Sequence, residues 1–303
     1  MDAMRGAGSR GAARQLCDQA AGMGSHNGSP PSATRGSLAA DLRALGLDRG
    51  DVVMVHASMK AIGAVEGGPA AVLAALLDTL SADGTLMAYV SWDRSPYEET
   101  LDERQLEASV REAWPAFDPQ TAGTYRGFGI LNASITAHEG CRRSVHPDAS
   151  MAAIGRHAAW LVRPHPLDSA YGPGSPVERF LEMRGKVLLL GAGPDALTVL
   201  HYAEAVADIP GKRRVTFEMP MLDADGRKVW RRSTDYDSNG ILDCYADGEG
   251  PDAVECMGVD YLALKRAAFG RVGQADCRLI DAADLVTFGR RWLEERHGSA
   301  KGN

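Results

Sequence analysis

Two short apolar runs, Val52–Val55 and Thr85–Val90, bracket a strongly apolar stretch from Ala70 to Leu80. This strand–helix–strand spacing constrains the chain more than any other feature in it. Parallel strands need a crossover of a dozen or more residues, and a helix of this length supplies one, so a βαβ unit is expected. A second unit follows later. Lys186–Leu190 reads as a buried strand, Gly191-Ala192-Gly193 as a tight turn, and Pro194 to about Ala207 as a helix. Ser37 is placed to cap an opening helix through Leu38, Leu42 and Leu45. Further expectations are a strand at Ser150–Ile154, a short helix around Ala158 and a loop from His165 to Pro176. A hairpin around Asp225-Gly226 and helices near 252–268 and 281–296 complete the reading. Residues 91–130, broken by Pro96, Pro115 and Pro119, read as a long irregular insertion, more often functional than idle. The expected fold is α/β: a single domain whose mixed, partly parallel central sheet is flanked by helices, with a small added β segment.

Charge narrows the classes of function. Forty acids against 33 basic residues leave a formal charge of −7. A general nucleic-acid binder needs a basic face, so nucleic acid is not expected as a partner. No apolar run approaches the ~18 residues of a membrane span, and no membrane association is expected. Residues 1–36 carry a net +2 and are rich in Gly, Ala and Ser. They read as a disordered extension, native or added by fusion. The boundaries expected are a domain over 37–297 and a flexible tail over 298–303. Acids concentrate in residues 91–118 and 233–260, eight in each, while residues 212–232 are basic. Most such runs are solvated faces; the functional reading is an acidic site for a polycation.

Familiar catalytic templates are not met. The five cysteines (Cys17, Cys141, Cys244, Cys256 and Cys277) form no C-x-x-C pair, and the N-terminus has no secretory h-region. Free thiols and a missing signal favour the cytoplasm. The eight histidines are dispersed, so no metal is expected. No G-x-S-x-G or H-E-x-x-H motif occurs. Gly191-Ala-Gly193-Pro-Asp195-Ala196 fits a dinucleotide pattern, but Asp195 would oppose phosphate at that helix start. A tight glycine turn is the preferred reading, with a nucleotide-dependent oxidoreductase as the enzyme alternative. Asp235-Tyr-Asp237-Ser-Asn239-Gly240 begins like a calcium loop, but position 12 is Ala246 where a bidentate Glu is required.

His201 is the residue to keep. It lies near the carboxyl end of an expected parallel strand, where open α/β sheets place their sites. Glu204, three residues on, shares its helix face. Asp235 and Asp237 would point one way from an extended segment, and one of them can orient His201 as a His–carboxylate dyad.

Several ordered segments carry a resemblance. They include Val55-His56-Ala57-Ser58-Met59-Lys60-Ala61-Ile62-Gly63, Ser91–Thr100, Pro115–Pro119 and Arg143-Ser144-Val145-His146-Pro147. Gly174-Ser175-Pro176-Val177, Leu200–Glu204 and Tyr236–Gly240 continue the series. Together they resemble the aminoglycoside 3-N-acetyltransferases, most closely the gentamicin-modifying branch, from about Ser37 to Arg296. The resemblance implies acetyl-CoA as co-substrate, acetylation of the 3-amino group of a 2-deoxystreptamine antibiotic, and antibiotic resistance. It also implies a fold other than the common N-acetyltransferase fold, and a monomer or homodimer. The family's catalytic His maps onto His201 and its acidic partner onto Asp235. Antibiotic contacts are expected from Asp93, Tyr97, Glu98, Glu99, Asp102, Glu204 and Asp237, though only two or three acids of the 93–102 run should face the cleft. Coenzyme A contacts are expected from His56, Ser58, Met59, Lys60, Arg143, Ser144, His146 and Ser175. The chemistry is consistent: an ammonium must lose a proton before it attacks a thioester, and imidazole is a suitable base. A non-catalytic polycation- or drug-binding protein is the third reading.

Overall fold

The structure is a computed structural model, described here for residues 32–246 and 248–299. In chain order it runs α1 (Arg35–Leu45), β1 (Val52–Ala57), α2 (Met59–Ile62), α3 (Gly68–Leu80) and β2 (Thr85–Tyr89). The insertion carries α4 (Tyr97–Thr100), α5 (Ala108–Ala113) and α6 (Leu131–Thr136). Then come β3 (Arg142–Arg143), β4 (Met151–Gly155), α7 (Ala158–Leu161), α8 (Pro176–Glu182), β5 (Lys186–Leu190) and α9 (Leu200–Val206). The chain closes with β6 (Arg214–Leu222), β7 (Lys228–Tyr236), α10 (Ala253–Ala263), β8 (Ala268–Val272), β9 (Ala275–Asp281) and α11 (Ala282–His297).

The mixed, partly parallel sheet expected from the sequence is present. Its seven strands run β3-β4-β2-β1-β5-β9-β8, with β2, β1 and β5 parallel and the outer strands antiparallel. The added β segment is a two-stranded ribbon, β6–β7, longer than expected at nine residues a strand. Because β1 is central, both its faces are covered. Val52 and Met54 enter one core and Val53 and Val55 the other, which is why the segment reads as an unbroken apolar run. Helix α3 packs its Val72, Leu73, Leu76 and Leu80 into the second core, while Val177 and Phe180 of α8 enter the first. The two crossovers therefore lie on opposite faces, and the chain leaves β1 toward β2 on one side and β5 on the other. That arrangement opens a crevice between the carboxyl ends of β1 and β5.

Two local expectations are corrected, and one hairpin had no expectation. Thr34, not Ser37, caps α1: its side chain accepts from the Ser37 backbone N–H at 3.2 Å, while Ser37 Oγ accepts from Thr34 N at 3.0 Å. This reciprocal pair satisfies two orphan N–H groups at once, and it begins the helix two residues before Ser37. The expected helix from Pro194 is a 3-10 turn at Pro194–Ala196, and α9 begins only at Leu200. Residues 268–281 form a hairpin at the sheet edge, a segment whose strands carry Arg271, Asp276 and Arg278 among their apolar residues and so show no clean apolar run. Most of the expected 1–36 extension and of the 298–303 tail lies outside the described residues.

Candidate active site

Helix α9 spans seven residues, too few to stand on their own, and is held by burial of Leu200, Ala203 and Glu204. Its C-terminal end receives Lys212, whose Nζ donates to the carbonyls of Glu204 and Ala205 at 3.2 and 2.9 Å. A cation there complements the helix dipole. With one end packed and the other capped, α9 presents His201 to a cleft lined also by Tyr171, Gly172, Glu204, Asp235, Tyr236, Asp237 and Ser238.

His201 Nδ1 lies 2.7 Å from Glu204 Oε2. The histidine side chain is 18% exposed and the glutamate 6%, so water competes little with the contact. An ionised carboxylate only accepts, so Nδ1 carries the proton and Nε2 keeps its lone pair. Burial lowers the His201 pKa, but the Glu204 charge and hydrogen bond, with Asp252 adding, outweigh it and the net shift is upward. For Glu204 itself burial prevails and the pKa is raised despite its histidine partner. The Tyr171 ring packs on the imidazole at 4.7 Å between centroids, and its hydroxyl donates to Tyr89 Oη at 3.0 Å.

The carboxylate hydrogen-bonded to His201 is thus Glu204, where Asp235 or Asp237 was expected. Asp235 is occupied elsewhere, accepting from the Ala170 and Tyr236 backbone N–H groups at 2.7 Å each. Asp237 accepts from Arg213 Nε at 3.2 Å and from the Asn239 N–H at 3.0 Å. A residue three positions away on the same helix wins because its approach costs no long-range ordering. Both aspartates still line the cleft, and burial raises Asp235 against the pull of its backbone donors.

Two or three acids of the 93–102 run were expected at the cleft, and none of them is in its lining. Tyr97 is partly buried against Phe217, and its phenol is pushed well up by burial and by the charges of Asp237, Asp148, Glu98 and Asp235. Asp93, Glu99 and Asp102 are exposed and outside the cleft lining, and Glu98 is exposed too. Asp148, which sequence reasoning missed, belongs to this group. Ser95 Oγ donates to it at 2.6 Å, and burial raises its pKa to about 6. The signal was close at hand, since Asp148 directly follows the Arg143–Pro147 motif.

Several residues expected at coenzyme A hold the scaffold instead. Arg143 gives its N–H groups to Ser150 Oγ and to the carbonyls of Ser91, Ala122 and Gly123, tying the insertion to β4. Burial brings its pKa down to about 10. Ser144 is fully buried; its Oγ accepts from Met151 N and faces His165 Nδ1 at 2.8 Å. His165 Nε2 faces the Ala170 carbonyl at 2.8 Å, so Nε2 is the protonated nitrogen. Ser175 caps α8, accepting from Val177 and Glu178 N–H groups. His146 accepts from Ala149 N and is buried against His165, with a pKa lowered to about 4 by burial. All four side chains satisfy protein groups of the packed loops around them. Near the β1 end, Ser58 caps α2, Met59 packs on the second core and Lys60 is exposed. Among the described residues no group of three or more His, Cys, Asp or Glu is arranged to hold a metal ion.

The glycine turn does not make a nucleotide site. Gly191 has φ +72°, and a Cβ there would lie 2.6 Å from Ala61 Cβ, so glycine is required for β5 to pass the β1–α2 turn. The Asp195 carboxylate sits 2.4 Å from where a Cβ on Gly193 would be, covering the backbone a pyrophosphate would approach.

Comparison with known proteins gives a consistent result. A family model described as aminoglycoside 3-N-acetyltransferase matches residues 54–294. The chain is 55% identical over 266 residues to an aminoglycoside N(3)-acetyltransferase III from Salmonella sp, covering 88% of this chain and 93% of that protein. It is 46% identical over 272 residues to aminoglycoside N(3)-acetyltransferase VII from Streptomyces paromomycinus, covering 89% and 94%. Among solved structures it is similar to AAC-VIa bound to sisomicin, with a TM-score of 0.87 at 54% identity over 89% of this chain and all of that one. It is also similar to AAC-IIIb in binary complex with CoASH, with a TM-score of 0.83 at 40% identity over 90% and 100%.

Proposed function

The chain belongs to the aminoglycoside 3-N-acetyltransferase family, an acetyltransferase with acetyl-CoA as co-substrate, and from that premise we propose how its residues acetylate the 3-amino group of a 2-deoxystreptamine antibiotic of the gentamicin type. His201 is the general base. Glu204 holds its Nδ1–H, leaving the Nε2 lone pair to take the proton from the antibiotic's 3-ammonium. The freed amine forms the C–N bond with the acetyl carbon, the C–S bond breaks, His201 returns its proton to the departing thiolate, and the acylated nitrogen sheds its second proton to solvent to leave the neutral amide. Glu204 stabilises the imidazolium between these events.

Asp235, Asp237 and Asp148, with Tyr97, hold the antibiotic's remaining ammonium groups. Buried carboxylates suit this task, because charge-assisted contacts to ammonium groups strengthen where water is excluded. Acetylation converts one ammonium into a neutral amide, which removes a charge and accounts for the resistance phenotype. We take the cytoplasm as the place of action, a monomer or homodimer as the working assembly, and residues 34–297, which include the cap of α1, as the catalytic domain.

The 2.7 Å His201–Glu204 contact beside two buried aspartates carries this reading. Purified protein mixed with acetyl-CoA and gentamicin should release free thiol. His201→Ala should lower turnover by about 10²–10⁴-fold while leaving antibiotic binding by calorimetry nearly unchanged. Full activity in that variant would refute His201 as the base.

A further inference from the structure

His56 ends β1 at the crevice between β1 and β5, and the base and acids above give it no task. Strand alternation places its side chain on the face of Met54, and its register partner is Leu189 of β5. Two residues beyond Leu189, Gly191 is bridged to Ala57, and the chain continues from there into α9 and His201. Continuing the β1–β2 register beyond Met54–Met87 puts Tyr89 on its other side, and Tyr89 leads through Tyr171 to the His201 ring. His56 at the end of β1 and His201 on α9, the helix that follows β5, thus lie on the same face of the sheet, the one that carries Met54 and Leu200.

The His56 ring is unusual in its hydrogen bonding. Nε2 is sealed from solvent with no partner, and among the described residues no hydrogen bond is formed by Nδ1 either. The residue as a whole keeps partial exposure and Nδ1 is not among the sealed atoms, so Nδ1 is the nitrogen that a ligand can reach. Burial lowers the pKa to about 4, which keeps the ring neutral at working pH. A neutral ring has one N–H and one lone pair. A buried orphan N–H is rarer in proteins than a buried orphan acceptor, so the lone pair belongs on Nε2 and the proton on Nδ1. The result is an uncharged donor at the crevice.

Its surroundings select the ligand. Residues 52–65 hold no acid and a single lysine, Lys60, in contrast to the aspartate-lined side that suits ammonium groups. A neutral N–H next to an acid-free turn fits a carbonyl oxygen that gains negative charge. We infer that His56 is a catalytic hydrogen-bond donor whose Nδ1–H holds the thioester carbonyl oxygen of the acetyl donor during transfer. As the amine nitrogen bonds to the acetyl carbon, the C=O electron pair moves onto the oxygen that His56 binds. It returns to re-form C=O when the C–S bond breaks and the thiolate takes the proton from His201. Donors aimed at developing charge act chiefly on the transition state.

This inference rests on the acetyl-transfer reading, and its test separates the two. Thiol release from acetyl-CoA with gentamicin is measured for the native protein, His56→Leu and His56→Asn, each with a melting curve. The leucine variant should lose about 10²–10³-fold in kcat, with KM for acetyl-CoA within about threefold of native. Its melting temperature should be equal or higher, because an unpartnered buried nitrogen is removed. Asparagine, whose amide nitrogen falls near the Nδ1 position, should restore kcat to within about tenfold of native. Should the leucine variant fail to fold, His56→Gln replaces it; its amide reaches the Nε2 position, so it should be slow where asparagine is fast. Native kcat in the leucine variant, a loss confined to KM, or no rescue by asparagine would each overturn the role of His56 alone. No thiol release from the native protein would take down the acetyl-transfer reading and this inference with it.

Discussion

His201 Nδ1 and Glu204 Oε2 stand 2.7 Å apart across one turn of the same seven-residue helix, both largely shielded from water. The proposed base and its carboxylate partner thus come from a single local element. The tertiary fold has only to place that element at the sheet's switch point and to surround it with acids that belong to other segments.

The pairing sets a pH signature. A base must be neutral to act, and the neutral fraction of His201 grows as pH rises through its pKa. Glu204 raises that pKa above the ordinary value of 6.5, so the acid limb of kcat should be centred above pH 6.5. In Glu204→Gln the raising charge is gone and burial, which lowers the pKa, remains. The limb should then move to lower pH, while the plateau falls by about 10²-fold as the amide no longer secures the tautomer. A pH–rate profile that keeps its limb in place would exclude Glu204 as the partner.

Asp235 and Asp237 should behave differently from Glu204. Asp235→Asn and Asp237→Asn each remove a charge from the cleft wall without touching the base. A contact to a charged group is worth about 1.5–3 kcal/mol, so KM for the antibiotic should rise roughly 10- to 100-fold. The acid limb of kcat should stay where it is. Titration calorimetry of the antibiotic and the pH profile together check both statements.

Gly191→Ala is expected to be costly for its size. The residue sits at φ +72°, and the new methyl would meet Ala61 Cβ at 2.6 Å. Strain of this kind together with overpacking costs about 2–4 kcal/mol. Urea unfolding should show a lower midpoint at constant slope. Because the turn separates the ends of β1 and β5, kcat should fall as well, at temperatures where the variant is still folded.

Truncation places the N-terminal boundary. Removing residues 1–31 should leave kcat/KM unchanged. Cutting further, through Thr34, removes the reciprocal cap of α1 and the bridge between Ala33 and Val65. The longer deletion should cost about 1 kcal/mol or more in stability, seen as a lower melting temperature. A large loss of activity on the shorter deletion would overturn the reading of residues 1–31 as an extension.

Legibility differed by element. The β1–α3–β2 unit could be read directly because both faces of β1 are buried, and burial of that kind leaves an unbroken apolar run. The 268–281 hairpin could not, since edge strands alternate charged and apolar residues over only five to seven positions. At the site, His201 and Glu204 were legible as an i,i+3 pair. Asp148 was passed over although it directly follows the Arg143–Pro147 motif, because the motif ends one residue short of it and its bond from Ser95 Oγ joins positions 53 residues apart. Arg143 misled for the complementary reason: a guanidinium next to family-like residues suggests an anion, yet four protein oxygen sites consume its donors.

By itself the sequence determined the parallel core, the helix bearing His201 and the acidic balance that suits a cationic substrate, for periodicity and charge are properties of local order along the chain. Which carboxylate serves His201, which acids lose their water, and that Gly191 must be glycine were decided only in three dimensions. Hydrogen-bond competition and desolvation depend on what the rest of the chain brings within a few ångströms, and Asp235 was taken by the backbone of Ala170, 65 residues away.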